Sequence, residues 1–267
     1  LLEENVVFKN LGLVVTDEQH RFGVRQRGII ARKGENPDVL VMTATPIPRT
    51  LALYVYSDLD VSAIDELPPG RKKIDTRFFK DDERDNAYRL ALSEINKGRQ
   101  IYIVCPLIEE DEKAQLNSVQ SVYEKLNNGI FKDIKIEYLH GKMKAEKKDE
   151  IINRFKDGTT KVLISTTVIE VGVNVPNASV MIVENAERFG LAQLHQLRGR
   201  VGRGEYESYC ILIAKAKSEN TRKRMEILTE STDGFYIAEQ DLKLRGSGEM
   251  FGVRQSGDEG LLLANLY

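Results

Sequence analysis

The chain has 267 residues, 41% hydrophobic and 30% charged, with a formal net charge of −2. That length suggests about two domains with ordinary buried cores. The near-neutral balance excludes a global basic field, so any nucleic-acid contact has to come from local clusters. Cys105 and Cys210 both sit in apolar runs and read as reduced thiols of an intracellular protein, not as a disulfide framework. His20, His140 and His195 have no partners at metal-ligand spacing, which argues against a zinc site. No stretch approaches the ~20 apolar residues of a membrane span, and no basic-then-apolar leader opens the chain. The opening "LLEENVVFKNL" lacks Met and starts inside an amphipathic pattern, so a fragment is expected.

In chain order, "LGLVV" (11–15) and "VLVMTA" (39–44) have the continuous apolar character of strands buried on both faces, hence parallel. Helical patterns are expected at 22–32 and 46–56, the second with Pro46 or Pro48 in its first turn. "ELPPGRKKIDT" (66–76) joins Pro-Pro-Gly to three cations and reads as a linker. Alternation then restarts. Strands are expected at 100–105, 134–139, 161–165, 179–183 and 208–213, with helices at 84–97, 119–127, 145–157 and 191–198. Such alternation predicts right-handed crossovers and a doubly wound parallel α/β sheet. Its first unit, 1–70, looks like the back end of a similar fold, and 77–214 looks complete. "RKRMEILTES" and "FYIAEQDLKLR" read as two helices joined at 232–234, followed by the Gly-rich "GSGEMFGVRQSG" in a 215–267 appendage.

Four stretches carry chemistry. Asp17 and Glu18 close an apolar run, where open parallel sheets bind their ligands. Asp17 can enter a magnesium shell while Glu18 orients the attacking water, or the pair can simply cap the next helix. Thr43 and Thr45 flank Ala44 at the end of the next strand, able to link carboxylates to a neighbouring lobe and equally able to start a helix. In "HQLRGRVGRG" (195–204), Arg198, Arg200 and Arg203 alternate with glycines. Glycine permits close approach, and arginine matches phosphate oxygens. Arg200 and Arg203 are three apart, so a helical turn would aim both one way, as arginine fingers on a transferring phosphoryl group. "ISTTVIEVGVNVP" (164–176) offers Thr166, Thr167 and free backbone N–H groups as a phosphate corner, or a Thr-capped helix. No GxxxxGK[ST] loop occurs: the lone Gly141-Lys142 is followed by Met143 and has Ile136 at the first glycine position.

"DEQHRFGVRQR", "MTATPIPRTLAL", "DLDVSAIDELPPGR", the long run from "STTVIEVGVNVP" through "LRGRVGRG", and "DGFYIAEQDLKLRGSGEMFGVRQSG" follow one another over nearly the whole chain. In that order they resemble the C-terminal part of the RecG family of bacterial superfamily 2 DNA helicases. The transcription-repair coupling factor shares TATPIPRTL and GLAQLHQLRGRVGRG, whereas "IDELPPGR" and "CPLIEE" are similar to RecG. The resemblance implies RecA-like parallel sheets: part of a first helicase lobe, a whole second lobe and a helical hairpin. It also implies ATP and Mg²⁺ as cofactors. Asp17, Glu18, Gln19 and His20 match the DExH box, with Asp17 on the metal through the nucleotide. Thr43 and Thr45 match the motif coupling nucleotide to DNA, and Thr166 and Thr167 would touch the DNA backbone. Gly172, Asn174 and Gln196 fall on nucleotide-side positions, and Arg200 and Arg203 on the fingers. Arg224, Arg245 and Gln255 match the translocation motif. Asn174 departs from the family's usual Asp and loses its charge.

The resemblance further implies a monomeric, cytoplasmic, ATP-driven translocase of branched or forked double-stranded DNA, acting in recombination and repair and not at membranes. Without a phosphate loop, the 267 residues alone are expected not to hydrolyse ATP. A coupling-factor translocase or a non-catalytic nucleic-acid-binding module are the alternatives.

Overall fold

A computed structural model describes residues 3, 5–17, 29, 32–44, 60–64, 66, 71–106, 112–166 and 175–245. Two parallel sheets appear among them. The smaller pairs β1 (Leu13–Thr16) with β2 (Asp38–Val41). The larger is built from β3 (Asp75–Lys80), β4 (Gln100–Val104), β5 (Ile136–Leu139), β6 (Val162–Ser165), β7 (Ala178–Val183) and β8 (Tyr209–Ala214). They lie side by side in the order β3-β8-β7-β4-β6-β5, and every pairing is parallel. All strand C-termini therefore lie along one edge of the sheet.

The helices are α1 (Arg84–Asn96), α2 (Glu112–Asn127), α3 (Ala145–Lys156), α4 (Leu191–Arg198), α5 (Glu219–Glu230) and α6 (Gly234–Arg245). Strand periodicity divides the core into two layers. Ile101, Ile103, Ile164, Val180, Ile182, Ile211 and Ile213 face one side, where Ala87, Tyr88 and Ala91 of α1 and Val119 and Leu126 of α2 cover them. Tyr102, Val104, Leu163, Met181, Val183 and Leu212 face the other, beneath Phe155 of α3, Leu194 of α4 and Met225 and Leu228 of α5. Central strands are buried throughout because helices cover both faces, which is why they read as unbroken apolar runs. The fold places α4, α5 and α6 on one face.

Several boundaries differ from the sequence reading. β3 begins within the segment read as linker. Its "DTRFFK" mixes charges with aromatics because it is an edge strand, where charged side chains block further pairing. α2 begins at Glu112, ahead of the apolar stripe that marks 119–127, in a run of good helix formers. β1 and β2 are parallel as expected, yet Leu13, Val15, Val39 and Leu40 are exposed. A two-stranded sheet buries little by itself, and among the described residues of β1 and β2 only Val14 is buried. The helices expected at 22–32 and 46–56 lie largely outside the described residues. Among those described, no helix is long and apolar enough to cross a membrane.

Candidate active-site cleft

The turn that carries the expected fingers, residues 199–204 (the finger turn below), is assembled at the N-terminal edge of the larger sheet, opposite the strand C-termini. α4 stops at Arg198, with Gly199 as its C-cap. Arg200 and Arg203 are thus not on a helical turn, which corrects the expectation. They stand on an irregular turn in which Arg200 N–H donates to the Leu197 carbonyl at 3.0 Å. Gly202 takes a left-handed φ of +74°, and a Cβ there would meet Ile74 Cγ1 at 2.9 Å. A Cβ on Gly204 would meet the Pro176 carbonyl oxygen at 2.4 Å. The glycines between the arginines serve close packing against the residues that enter β3 and follow the 167–174 segment. Arg200 is half-buried, and Arg203 is exposed.

A cleft of about 810 Å³ runs along this turn. Thr43, Ala44, Gln196, Arg198, Arg200 and Arg203 all line it. Arg71, Lys72 and Lys73 line it too, so its walls are strongly cationic. The cleft continues to Thr232, Asp233 and Phe235 at the α5–α6 joint. Arg71 Nη2 donates to the Gly199 carbonyl at 3.1 Å, tying the linker segment to the finger turn. Sequence reasoning missed Arg71; its place beside Pro-Pro-Gly signalled only a linker.

Arg198 separates from its two neighbours. It is 3% exposed. Its Nη1 donates to the carbonyls of Leu228 and Ser231, each at 2.8 Å, and its Nη2 contacts His195 Nδ1 at 2.8 Å. A guanidinium only donates, so that Nδ1 is an acceptor and the His195 proton sits on Nε2. Burial, then the adjacent Arg198, pushes the His195 pKa down to about 4.

Asp17 follows β1 and Thr43 closely follows β2, and Met42 N–H donates to the Thr16 carbonyl at 2.8 Å, so both stand past the carboxyl ends of adjacent parallel strands. Asp17 is exposed. Thr166 is not brought to the finger turn. It follows β6 at the opposite edge of the larger sheet, is 1% exposed, and its Oγ1 is buried without a hydrogen-bond partner. In this arrangement its hydroxyl is enclosed, not presented to a DNA backbone as expected. Arg224 Nη1 and Nη2 donate to the Phe189 and Glu187 carbonyls at 2.9 and 2.8 Å, fastening α5 to the segment entering α4. Arg245 closes α6. Glu18, Gln19, His20, Thr45, Thr167, Gly172, Asn174 and Gln255 lie outside the described residues.

A second polar cluster at the strand C-termini gave no sequence signal. Glu184, just after β7, accepts from the Tyr88 hydroxyl and pairs with Arg84 at 3.0 Å, and Arg84 also reaches Asp81 at 2.6 Å. Burial raises the Glu184 pKa, opposed by Tyr88 and Arg84. The next residue, Asn185, has φ +50°.

Residues 83–205 match the helicase conserved C-terminal domain. The chain is 54% identical to the ATP-dependent DNA helicase RecG of Streptococcus pneumoniae over 96% of its own length and 38% of that protein's. It belongs to the RecG family. The RecG of Thermotoga maritima is 52% identical over 100% of the chain and 34% of the relative. A solved RecG bound to a three-way DNA junction superposes with a TM-score of 0.74 at 49% identity, over 94% of this chain and 32% of that one. This RecG-family chain thus spans about a third of the length of the relatives it matches. Yeast Dbp5 bound to RNA and ADP BeF3 superposes at 0.55 with 18% identity, which shows a shared fold alone.

Proposed function

We propose that the chain supplies the arginine-finger side of the nucleotide site, and the helical pair behind it, in an ATP-driven double-stranded DNA translocase that acts on branched DNA. The observation that carries this reading is the shared cleft: Thr43, Ala44, Gln196, Arg200 and Arg203 line one cationic space. A triphosphate fits such walls, because guanidinium forks and ammonium groups complement its oxygens. Asp17, exposed at the end of β1, is the residue that would share a magnesium ion with the nucleotide. Among the described residues no cluster of three acidic, His or Cys side chains could hold a metal without the phosphates. A bound magnesium would supply charge neutralisation on those phosphates. Arg200 and Arg203 would stabilise the charge that develops on the transferring group, and Thr43 would carry the state of the cleft to the neighbouring segment. Thr166 and Thr167 would meet DNA, Thr166 only in an arrangement that uncovers it.

The relatives are DNA helicases, and the three-way junction held by the solved RecG supports branched DNA as the partner. The fuller reading is a monomer in the bacterial cytoplasm that remodels stalled forks and Holliday junctions. The test is ATP hydrolysis and strand displacement by the full-length protein carrying this chain. Branched duplex should stimulate hydrolysis more than linear duplex of equal length. Absence of hydrolysis with any DNA would overturn the reading.

A further inference from the structure

We infer that Arg198 is a positioning residue for the fingers: its buried guanidinium ties the end of α4 to the last carbonyls of α5, so the α5–α6 joint sets where Arg200 and Arg203 stand in the cleft. The inference rests on the reading of those two arginines given above. Leu228 provides one of the unpaired carbonyls of the last turn of α5, and Ser231 is its C-cap. Both carry the partial negative charge of a helix C-terminus, which suits a cation. The same Nη1 lies 3.4 Å from Thr76 Oγ1 on β3, and Nη2 meets His195 one turn back on α4. One planar side chain therefore joins α4, α5 and the edge strand.

The finger turn is built directly on this residue. Val201 N–H donates to the Arg198 carbonyl at 3.3 Å, and Gly199 N–H to His195 at 3.1 Å. At the other end of α4, Arg224 fastens α5 to the Glu187 and Phe189 carbonyls. α5 is thus held to α4 at both ends, and a shift of the joint is delivered to the turn. Thr232, Asp233 and Phe235 of that joint line the same cleft as the fingers. Among the described residues Arg198 pairs with no carboxylate, and burial lowers its pKa. A buried cation balanced only by neutral acceptors costs more than an apolar side chain of similar volume, so filling the core does not account for it.

The test uses the full-length protein with Arg198→Lys and Arg198→Met, at a temperature where circular dichroism shows each folded. Lysine keeps the charge but cannot span the two carbonyls, Thr76 and His195 together. The expected result is a fall of about 10–100-fold in kcat for DNA-stimulated ATP hydrolysis, with KM for ATP within about twofold, and no rescue by lysine. Should the Arg198 variants not fold, Ser231→Gly decides. It loosens the accepting carbonyl without touching the buried cation, and kcat should drop about threefold. Folded variants with wild-type kcat and only a lowered melting temperature would overturn the inference and leave the proposed function standing. A wild-type protein without ATP hydrolysis would instead remove the function.

Discussion

The imidazole of His195 stays neutral near pH 7, because burial and the Arg198 guanidinium hold its pKa at about 4, against an ordinary 6.5. Unfolded, the ring takes a proton as pH falls below 6.5; folded, it resists until about 4. Its contribution to stability is therefore complete above pH 6.5 and is lost progressively as pH falls through that window. Urea denaturation across the window should show a slope that His195→Gln removes, and equal slopes would show that the ring titrates normally. The arginines differ in the same way, through their surroundings. All three line the cleft, but Arg198 is buried with its Nη1 on main-chain carbonyls, whereas Arg200 is half-buried and Arg203 exposed. Arg200→Ala or Arg203→Ala in the full-length protein should reduce DNA-stimulated ATP turnover by about 10³-fold or more, the scale of an arginine finger, while gel-shift affinity for forked DNA holds. Loss of DNA affinity ahead of turnover would mean that both are misassigned.

At the scale of elements, the finger turn depends on backbone fit. Gly204 packs its Cα against the Pro176 carbonyl, where a Cβ would come within 2.4 Å of the oxygen. A backbone oxygen cannot swing aside as a side-chain end can, so Gly204→Ala must displace either the turn or residue 176. The expected cost is about 2–3 kcal/mol, seen as a fall of roughly 4–10 °C in melting temperature for a fold of this size. Gly202→Ala meets the flexible Ile74 side chain but also needs an alanine at φ +74°. An unchanged melting temperature for Gly204→Ala would mean that the turn is looser than its packing indicates. α4 and α5 form the other unit of this region. Arg198 and Arg224 bind it at both ends through main-chain carbonyls, which leaves α5 little freedom to slide along α4.

For the molecule as a whole, the larger sheet separates two chemistries. Its N-terminal edge carries the finger turn and cleft, and its C-terminal edge carries Thr166 and the Glu184–Arg84–Tyr88 cluster. The 267 residues contain no GxxxxGK[ST] loop, so the isolated chain should show no ATP hydrolysis above background with or without forked DNA. Robust DNA-stimulated hydrolysis by it would refute that dependence on a phosphate loop. Strand and helix order was legible along the chain because buried parallel strands are apolar on both faces, as in "QIYIV" and "ASVMIV", and because α3 carries its own periodicity. The arginine–glycine alternation likewise marked the turn that lines the cleft. β3 was hidden by its edge position, and the start of α2 by its lack of an apolar stripe. Sequence by itself determined the parallel α/β architecture and proposed which residues could bind phosphate, since both depend on local pattern and side-chain type. Only the tertiary structure decided that Arg198 is buried against the end of α5, that Arg200 and Arg203 share a cleft with Thr43, and that Thr166 lies at the far edge. Those distinctions come from burial and from contacts between residues dozens of positions apart, which no local pattern encodes.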